Sequence, residues 1–196
     1  MTPKIILASN SPRRRELLAQ IGLSFTVAPA DVDERVLPGE PPEAYADRVA
    51  LDKARAAAQR AGEGIVIAAD TIVVVGDSIL GKPSDAADAR RMLSELSGRG
   101  HEVITSLAVM DAATGRSAVR TSATRVWFRD LSDREIAAYV ATGEPLDKAG
   151  AYGIQERGAL LVERIEGCYS NVVGLPLSLL GEMLRDFGVY PVTESR

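Results

Sequence analysis

Residues 65–75 read IVIAADTIVVV. The β-branched content of this run makes it strand material. Gly76-Asp77 after it is a hairpin turn signal, and Ile79-Leu80 reads as the returning strand. A helical pattern precedes the run, opening near Pro41-Pro42 and passing through YADRVALDKARAAAQ to Gly62. Another follows from Asp85 to Leu96, with Met92, Leu93 and Leu96 inward and Gly98 as the stop. A strand between two helices, with a hairpin attached, decides for an α/β fold with a mixed sheet rather than a purely parallel one.

The flanks repeat the alternation. Lys4 to Ala8 is a short apolar run of strand length, and Ser11-Pro12 reads as cap and first residue of PRRRELLAQI. Leu17, Leu18 and Ile21 form the apolar stripe of that helix, and Gly22 stops it. Residues 101–112 and 116–129 read as strands joined at Ala113-Thr114-Gly115. Ser132 to Glu135 is a capping box opening a short helix that ends at Gly143. Residues 158–166 read as a further strand. Pro176 opens the last helix, with Leu179, Leu180, Met183, Leu184 and Phe187 inward. One domain of two lobes is expected over 1–190, with 191–196 as a flexible tail.

The chain has 196 residues, a formal net charge of −4, one histidine and one cysteine. The single cysteine excludes an intrachain disulfide, and the single histidine excludes His-rich zinc sites. The acidic balance argues against general binding to nucleic acid or an anionic membrane. Aromatics at 5% argue against a base-stacking platform. No run approaches the ~18 apolar residues of a membrane span, and the N-terminal charge order is the reverse of a signal peptide, so a cytoplasmic protein is expected.

Chemistry concentrates at four places. Arg13-Arg14-Arg15 put cations in the first helical turn, against the helix dipole, where amides already favour an anion. That points to a phosphate site with Ser9 and Ser11 as donors; the competing reading is a solvated basic face. Asp70 interrupts the apolar run, so it is paired, protonated or metal-bound if buried, or else on a wet strand face. Lys82 lies in Gly81-Lys82-Pro83. The stretch from Gly76 matches the GxxxxGK spacing of a P-loop, but Pro83 stands where Ser or Thr should hold magnesium. Proline also lacks the amide such a loop needs, so the P-loop is rejected while Lys82 stays a phosphate cation. Lys53 lies near the inward stripe of the second helix, either snorkelling to water or pointing into a cleft. Finally EPLDKAGAYGIQERG, 144–158, is glycine-rich without apolar periodicity, which favours a ligand loop over plain surface. Cys168 and His101 lack an orienting motif and are not read as a nucleophilic pair.

LASNSPRRRELL (7–18), AADTIVVV (68–75), GKPSDAADARRMLSELSG (81–98), EPLDKAGAYGIQERGALLVERIEG (144–167) and VVGLPL (172–177) together resemble the Maf family of nucleotide pyrophosphatases. The resemblance implies a bent mixed β-sheet with flanking helices in two lobes around a deep cleft, related in fold to the inosine-triphosphate pyrophosphatases. It also implies a homodimer and hydrolysis of a nucleoside triphosphate to monophosphate and pyrophosphate with a divalent metal, Mg or Mn. Arg13, Thr71 and the loop Ala149 to Gln155 match the subgroup acting on dTTP and UTP. The family often carries paired glutamates where this chain has Asp33-Glu34.

On that reading Asp70 is the catalytic carboxylate, accepting the proton of the attacking water or orienting it as a metal-held carboxylate. Asp70 and Glu34 are the metal ligands. Ser9, Arg13, Arg14, Lys53 and Lys82 bind phosphates, and Arg13, Thr71 and Gln155 select the base. Two alternatives stand beside it: a nucleotide-binding regulator of cell division with little catalysis, and the same chemistry on 7-methyl-GTP or on modified pyrimidine triphosphates.

Overall fold

The structure is a computed structural model and describes residues 3–76 and 78–191. Most of the expected tail, and Asp77 of the expected turn, lie outside the described residues.

The elements run β1 (Ile5–Leu7), α1 (Pro12–Gln20), β2 (Phe25–Val27), α2 (Pro42–Ala61), β3 (Ile65–Val75), β4 (Ser78–Leu80), α3 (Ala86–Leu96), β5 (Gly100–Asp111), β6 (Ser117–Phe128), α4 (Asp133–Val140), β7 (Val162–Glu166), α5 (Tyr169–Val173) and α6 (Leu177–Asp186). Short 3₁₀ turns fill the stretch between α4 and β7. The sheet order is β2-β1-β3-β5-β6-β7, with β4 on β3. β1 is parallel to β2 and to β3, whereas β3–β4 and β6–β7 are antiparallel. The fold is therefore α/β with a central mixed sheet and flanking helices, as expected.

Local chemistry explains most boundaries. The Ser11 side chain accepts from the Arg14 amide and Pro12 takes the first turn of α1. Asp85 caps α3, and Ser132 with Glu135 closes a complete capping box on α4. Gly62 ends α2 in the left-handed region. Residues 78–80 are the return strand on β3 rather than part of a phosphate cradle: Val73 pairs with Leu80 and Val75 with Ser78. The strand expected from 158 begins only at Val162, because Glu156–Leu160 wind into a 3₁₀ turn instead. β2 and α5 were not expected; at three and five residues they are too short to carry a periodic signal.

The chain forms two compact units. The first comprises 1–70, 105–122 and 174–196, and the second 71–104 and 123–173. In the first, Ala50, Ala54, Ala57 and Ala58 of α2 pack on Ile6, Ala8, Val66, Ala68, Ala108 and Met110. Alanines on the helix face let its backbone come close to the strands. α6 adds buried Leu180, Met183 and Leu184, while Leu179 and Phe187 are only half-buried. In the second unit, Met92, Leu93 and Leu96 of α3 meet Val73, Val75, Val126, Phe128, Ile136 and Tyr139. His101, Phe128 and Tyr152 stack edge to face there, with centroids 4.7–5.4 Å apart. Trp127, the single tryptophan, carries the Arg164 guanidinium 3.4 Å over its ring. No helix among the described residues is long and apolar enough to cross a membrane.

Candidate functional site

In the first unit the polar groups converge just beyond the end of β1 and at the middle of β3. Asp70 is 6% exposed, so it needs a partner. Lys53, itself 9% exposed, supplies one: its Nζ donates to Asp70 Oδ1 at 2.8 Å. The same ammonium lies 2.8 Å from Glu34 Oε1. Lys53 thus points inward to the acids rather than snorkelling to water. Glu34 comes from the loop between β2 and α2, and α2 holds that loop. The Tyr45 hydroxyl donates to the Glu34 carbonyl at 2.9 Å, and Arg48 Nη2 donates to the Arg35 carbonyl at 2.9 Å. Arg48 also grips the Glu40 carboxylate through Nε and Nη2, at 2.6 and 2.8 Å. Burial, then the charges of Asp70 and Glu34, push the Tyr45 phenol up to about 12.

The arginines of α1 divide. Arg14 turns inward: Nε donates to the Gly174 carbonyl at 2.8 Å, and Nη1 to the Ala69 carbonyl at 2.9 Å and the buried Ser9 hydroxyl at 3.4 Å. Burial lowers its basicity, and the nearby Asp70 charge partly restores it. The Ser9 hydroxyl also accepts from the Ser11 amide at 3.2 Å. Arg13 is half-buried and Arg15 exposed, so the triplet is not a uniformly solvated face. Ser9, Arg14, Lys53, Glu34 and Asp70 are therefore brought together by direct contacts or by shared neighbours.

Two carboxylates meeting on one ammonium are a donor set that also suits a divalent cation, which favours carboxylate oxygens together with phosphates and waters. Among the described residues no group of three or more His, Cys, Asp or Glu is placed to enclose a metal. Asp70 and Glu34 fit an open site completed by a ligand's phosphates rather than a closed protein cage.

Thr71, Lys82 and Gln155 belong to the second unit. Thr71 follows Asp70 on β3 and is half-buried; Lys82 is exposed between β4 and α3. The loop bearing Gln155 is built around glycines. The Gly150 amide donates to the Gly81 carbonyl at 3.0 Å, beside Lys82. Gly150 has φ +69°, and a Cβ there would lie 2.8 Å from Val73. The Gly153 amide donates to the Tyr139 hydroxyl at 3.2 Å, and that hydroxyl donates to Glu144 Oε1 at 2.9 Å. Cys168 and His101 do not pair: His101 Nε2 meets the Tyr152 hydroxyl at 2.8 Å and Cys168 Sγ meets Ser170 Oγ at 3.2 Å.

Sequence reasoning missed Tyr45, Arg48, Tyr139 and Glu144. Tyr45 stood on the inward helical stripe, but nothing in its spacing pointed to the Glu34 loop. Arg14 was read as a phosphate cation, and its two carbonyl partners, one of them 160 positions away, leave no trace in local pattern.

This chain is 56% identical over 190 residues to a protein named dTTP/UTP pyrophosphatase from Anaeromyxobacter dehalogenans, covering 96% of each chain. It is 56% identical over 186 residues to one of the same name from Moorella thermoacetica, covering 95% of this chain and 96% of that one. The solved structure of the Staphylococcus aureus Ham1 protein aligns with a TM-score of 0.55 at 20% identity, over 94% of this chain and 99% of that chain, a likeness of fold. Residues 4–187 match the family described as Maf-like protein, and the chain belongs to that family.

Proposed function

We propose that this protein is a nucleoside triphosphate pyrophosphatase that hydrolyses dTTP and UTP to the monophosphate and pyrophosphate. The observation that carries the reading is the buried Asp70 carboxylate, held by Lys53 beside Glu34, in a chain so similar to proteins bearing that name. Water forms the new bond to the α-phosphorus, the bond from that phosphorus to the bridging oxygen breaks, and pyrophosphate leaves with the electron pair. Asp70 takes the water's proton, its orientation fixed by the Lys53 contact at Oδ1. Asp70 and Glu34 would hold a divalent cation, Mg or Mn, which would supply neutralisation of the phosphate charge.

Ser9, Arg13, Lys53 and Lys82 bind phosphate oxygens. Arg14 adds charge there while anchoring Ala69 and Gly174. Arg13, Thr71 and Gln155 select the base, Gln155 offering both a donor and an acceptor to a pyrimidine edge. The protein works as a homodimer in the cytoplasm; sedimentation at micromolar concentration and fractionation of cells test these two points.

The deciding experiment incubates the protein and Asp70→Asn with a panel of triphosphates plus magnesium or manganese, and separates the products. Monophosphate and pyrophosphate from dTTP and UTP, falling by about 100-fold or more in the variant, is the expected result. Near-normal turnover by Asp70→Asn, or release of orthophosphate alone, overturns the reading. Excess chelator is expected to stop turnover and added manganese to restore it.

A further inference from the structure

Between Tyr152 and Gly158 the chain makes a small arch with Gln155 on it. It begins just after Ala151 at φ 57° and contains Glu156 at φ 54°, the described non-glycine residues with positive φ. Left-handed backbone at such residues persists only where surrounding contacts impose it. Here those contacts close the neck of the arch. A Cβ on Gly158 would collide with the Gly153 carbonyl and lie 2.7 Å from the Tyr139 hydroxyl, so the two ends approach as only glycine permits. The Gly153 amide donates to the Tyr139 hydroxyl at 3.2 Å, that hydroxyl donates to Glu144 Oε1 at 2.9 Å, and the Gly158 amide donates to the same oxygen at 3.1 Å. Two side chains outside the arch thereby tie its ends together. Tyr139 is buried on α4, whose capping box fixes that helix, and Glu144 is half-buried in the turn after it.

We propose that Tyr139 and Glu144 are positioning residues for base selection: their relay holds the arch in its strained form, and that form sets the direction of the Gln155 amide. The inference rests on the reading of Gln155 as a base-selecting residue given above. It assigns selectivity to two groups that need not touch the nucleotide. An amide selects by direction, so a loosened arch loses discrimination before it loses turnover.

The test measures kcat/KM for dTTP and for dCTP in the unaltered protein and in Tyr139→Phe, Glu144→Ala, Glu144→Gln and Gln155→Ala. Tyr139→Phe keeps the packing of α4 and removes only the hydroxyl. The ratio of dTTP to dCTP is expected to fall about 10- to 100-fold in Tyr139→Phe, Glu144→Ala and Gln155→Ala, through a raised KM for dTTP. Glu144→Gln keeps an oxygen that accepts both bonds and is expected to retain the ratio. Amide exchange, read by NMR without nucleotide, is expected to speed up at Gly153 in Tyr139→Phe and at Gly158 in Glu144→Ala. Equal losses on both nucleotides, or an unchanged ratio, in Tyr139→Phe and Glu144→Ala while Gln155→Ala shifts it, overturns the relay and leaves the selector reading standing. An unchanged ratio in Gln155→Ala overturns the selector reading and this proposal with it. If one relay variant fails to fold, the other decides by the same criteria.

Discussion

A lysine between two carboxylates, one buried and one half-exposed, is the energetic centre of the first unit. Glu34, with 52% of its side chain exposed, gains little from Lys53, because solvent screens the pair. Asp70 is different: without Lys53 a buried carboxylate loses its direct ion-pair partner and keeps only the field of the nearby Arg14 guanidinium. Lys53→Ala is expected to destabilise the protein by about 3–5 kcal/mol, read from urea unfolding. Adding Asp70→Asn to Lys53→Ala is expected to recover part of that loss, since the uncompensated charge goes with it. A double variant no more stable than Lys53→Ala sinks this account. The sequence made Asp70 conspicuous because a charge in an apolar strand is costly, and cost is visible in composition. It left Lys53 open because a lysine on a helix stripe serves either water or a partner equally well.

His101 titrates against the fold. Burial pushes its imidazole down from its ordinary value to about 4. The native state therefore binds its proton later than the unfolded chain does, so stability falls as pH drops from about 6.5 towards 4. The expected loss across that window is about 3 kcal/mol, and His101→Gln is expected to flatten it in urea midpoints measured against pH. Below about pH 4.5 the paired carboxylates of Glu40 and Glu135, both lowered to about 2, add their own losses as protons displace their arginine contacts. An unchanged slope between pH 6.5 and 5 in His101→Gln contradicts the assignment.

At the scale of elements, caps and glycines did most of the specifying. α1 and α4 start where a side-chain oxygen satisfies a first-turn amide, and both starts are legible for that reason; α3 is legible from its apolar spacing, and the structure adds Asp85 as its cap. Ser132→Ala is expected to cost about 1 kcal/mol and to loosen α4, the helix that carries Tyr139. Gly150→Ala puts a Cβ 2.8 Å from Val73 at a left-handed position and is expected to cost about 1–3 kcal/mol, read as a lowered denaturant midpoint. A neutral outcome for Gly150→Ala requires that β3 and the loop separate more easily than their contact suggests. The strand expected over 158–166 forms only from Val162. Before it the backbone instead follows the closure of the arch at Gly158, a contact between residues five apart with no periodic signature. Local rules located the loop; only tertiary contacts gave it its form.

The two units are each assembled from separate stretches of chain, so neither corresponds to a contiguous fragment. The sheet order, with β1 beside β3 and β3 beside β5, joins strands distant in sequence, and mixed topology was as far as alternation and hairpin signals could reach. The polar site followed the same limit. Its residue types stood out one by one, but the grouping of Ser9, Arg14, Lys53 and Asp70 depends on which strands lie side by side.

The lone indole on β6 has a further use. Trp127 belongs to the second unit, and the first contains tyrosines but no tryptophan, so emission excited selectively at the indole is a one-sided gauge of folding. The guanidinium of Arg164 above the ring and Gly100 beneath its edge give that emission a native environment that denaturation removes. Far-ultraviolet circular dichroism, by contrast, registers helices in both units. Superimposable urea curves from the two signals would make the protein a single cooperative entity; a displaced fluorescence curve would tell directly which half gives way first.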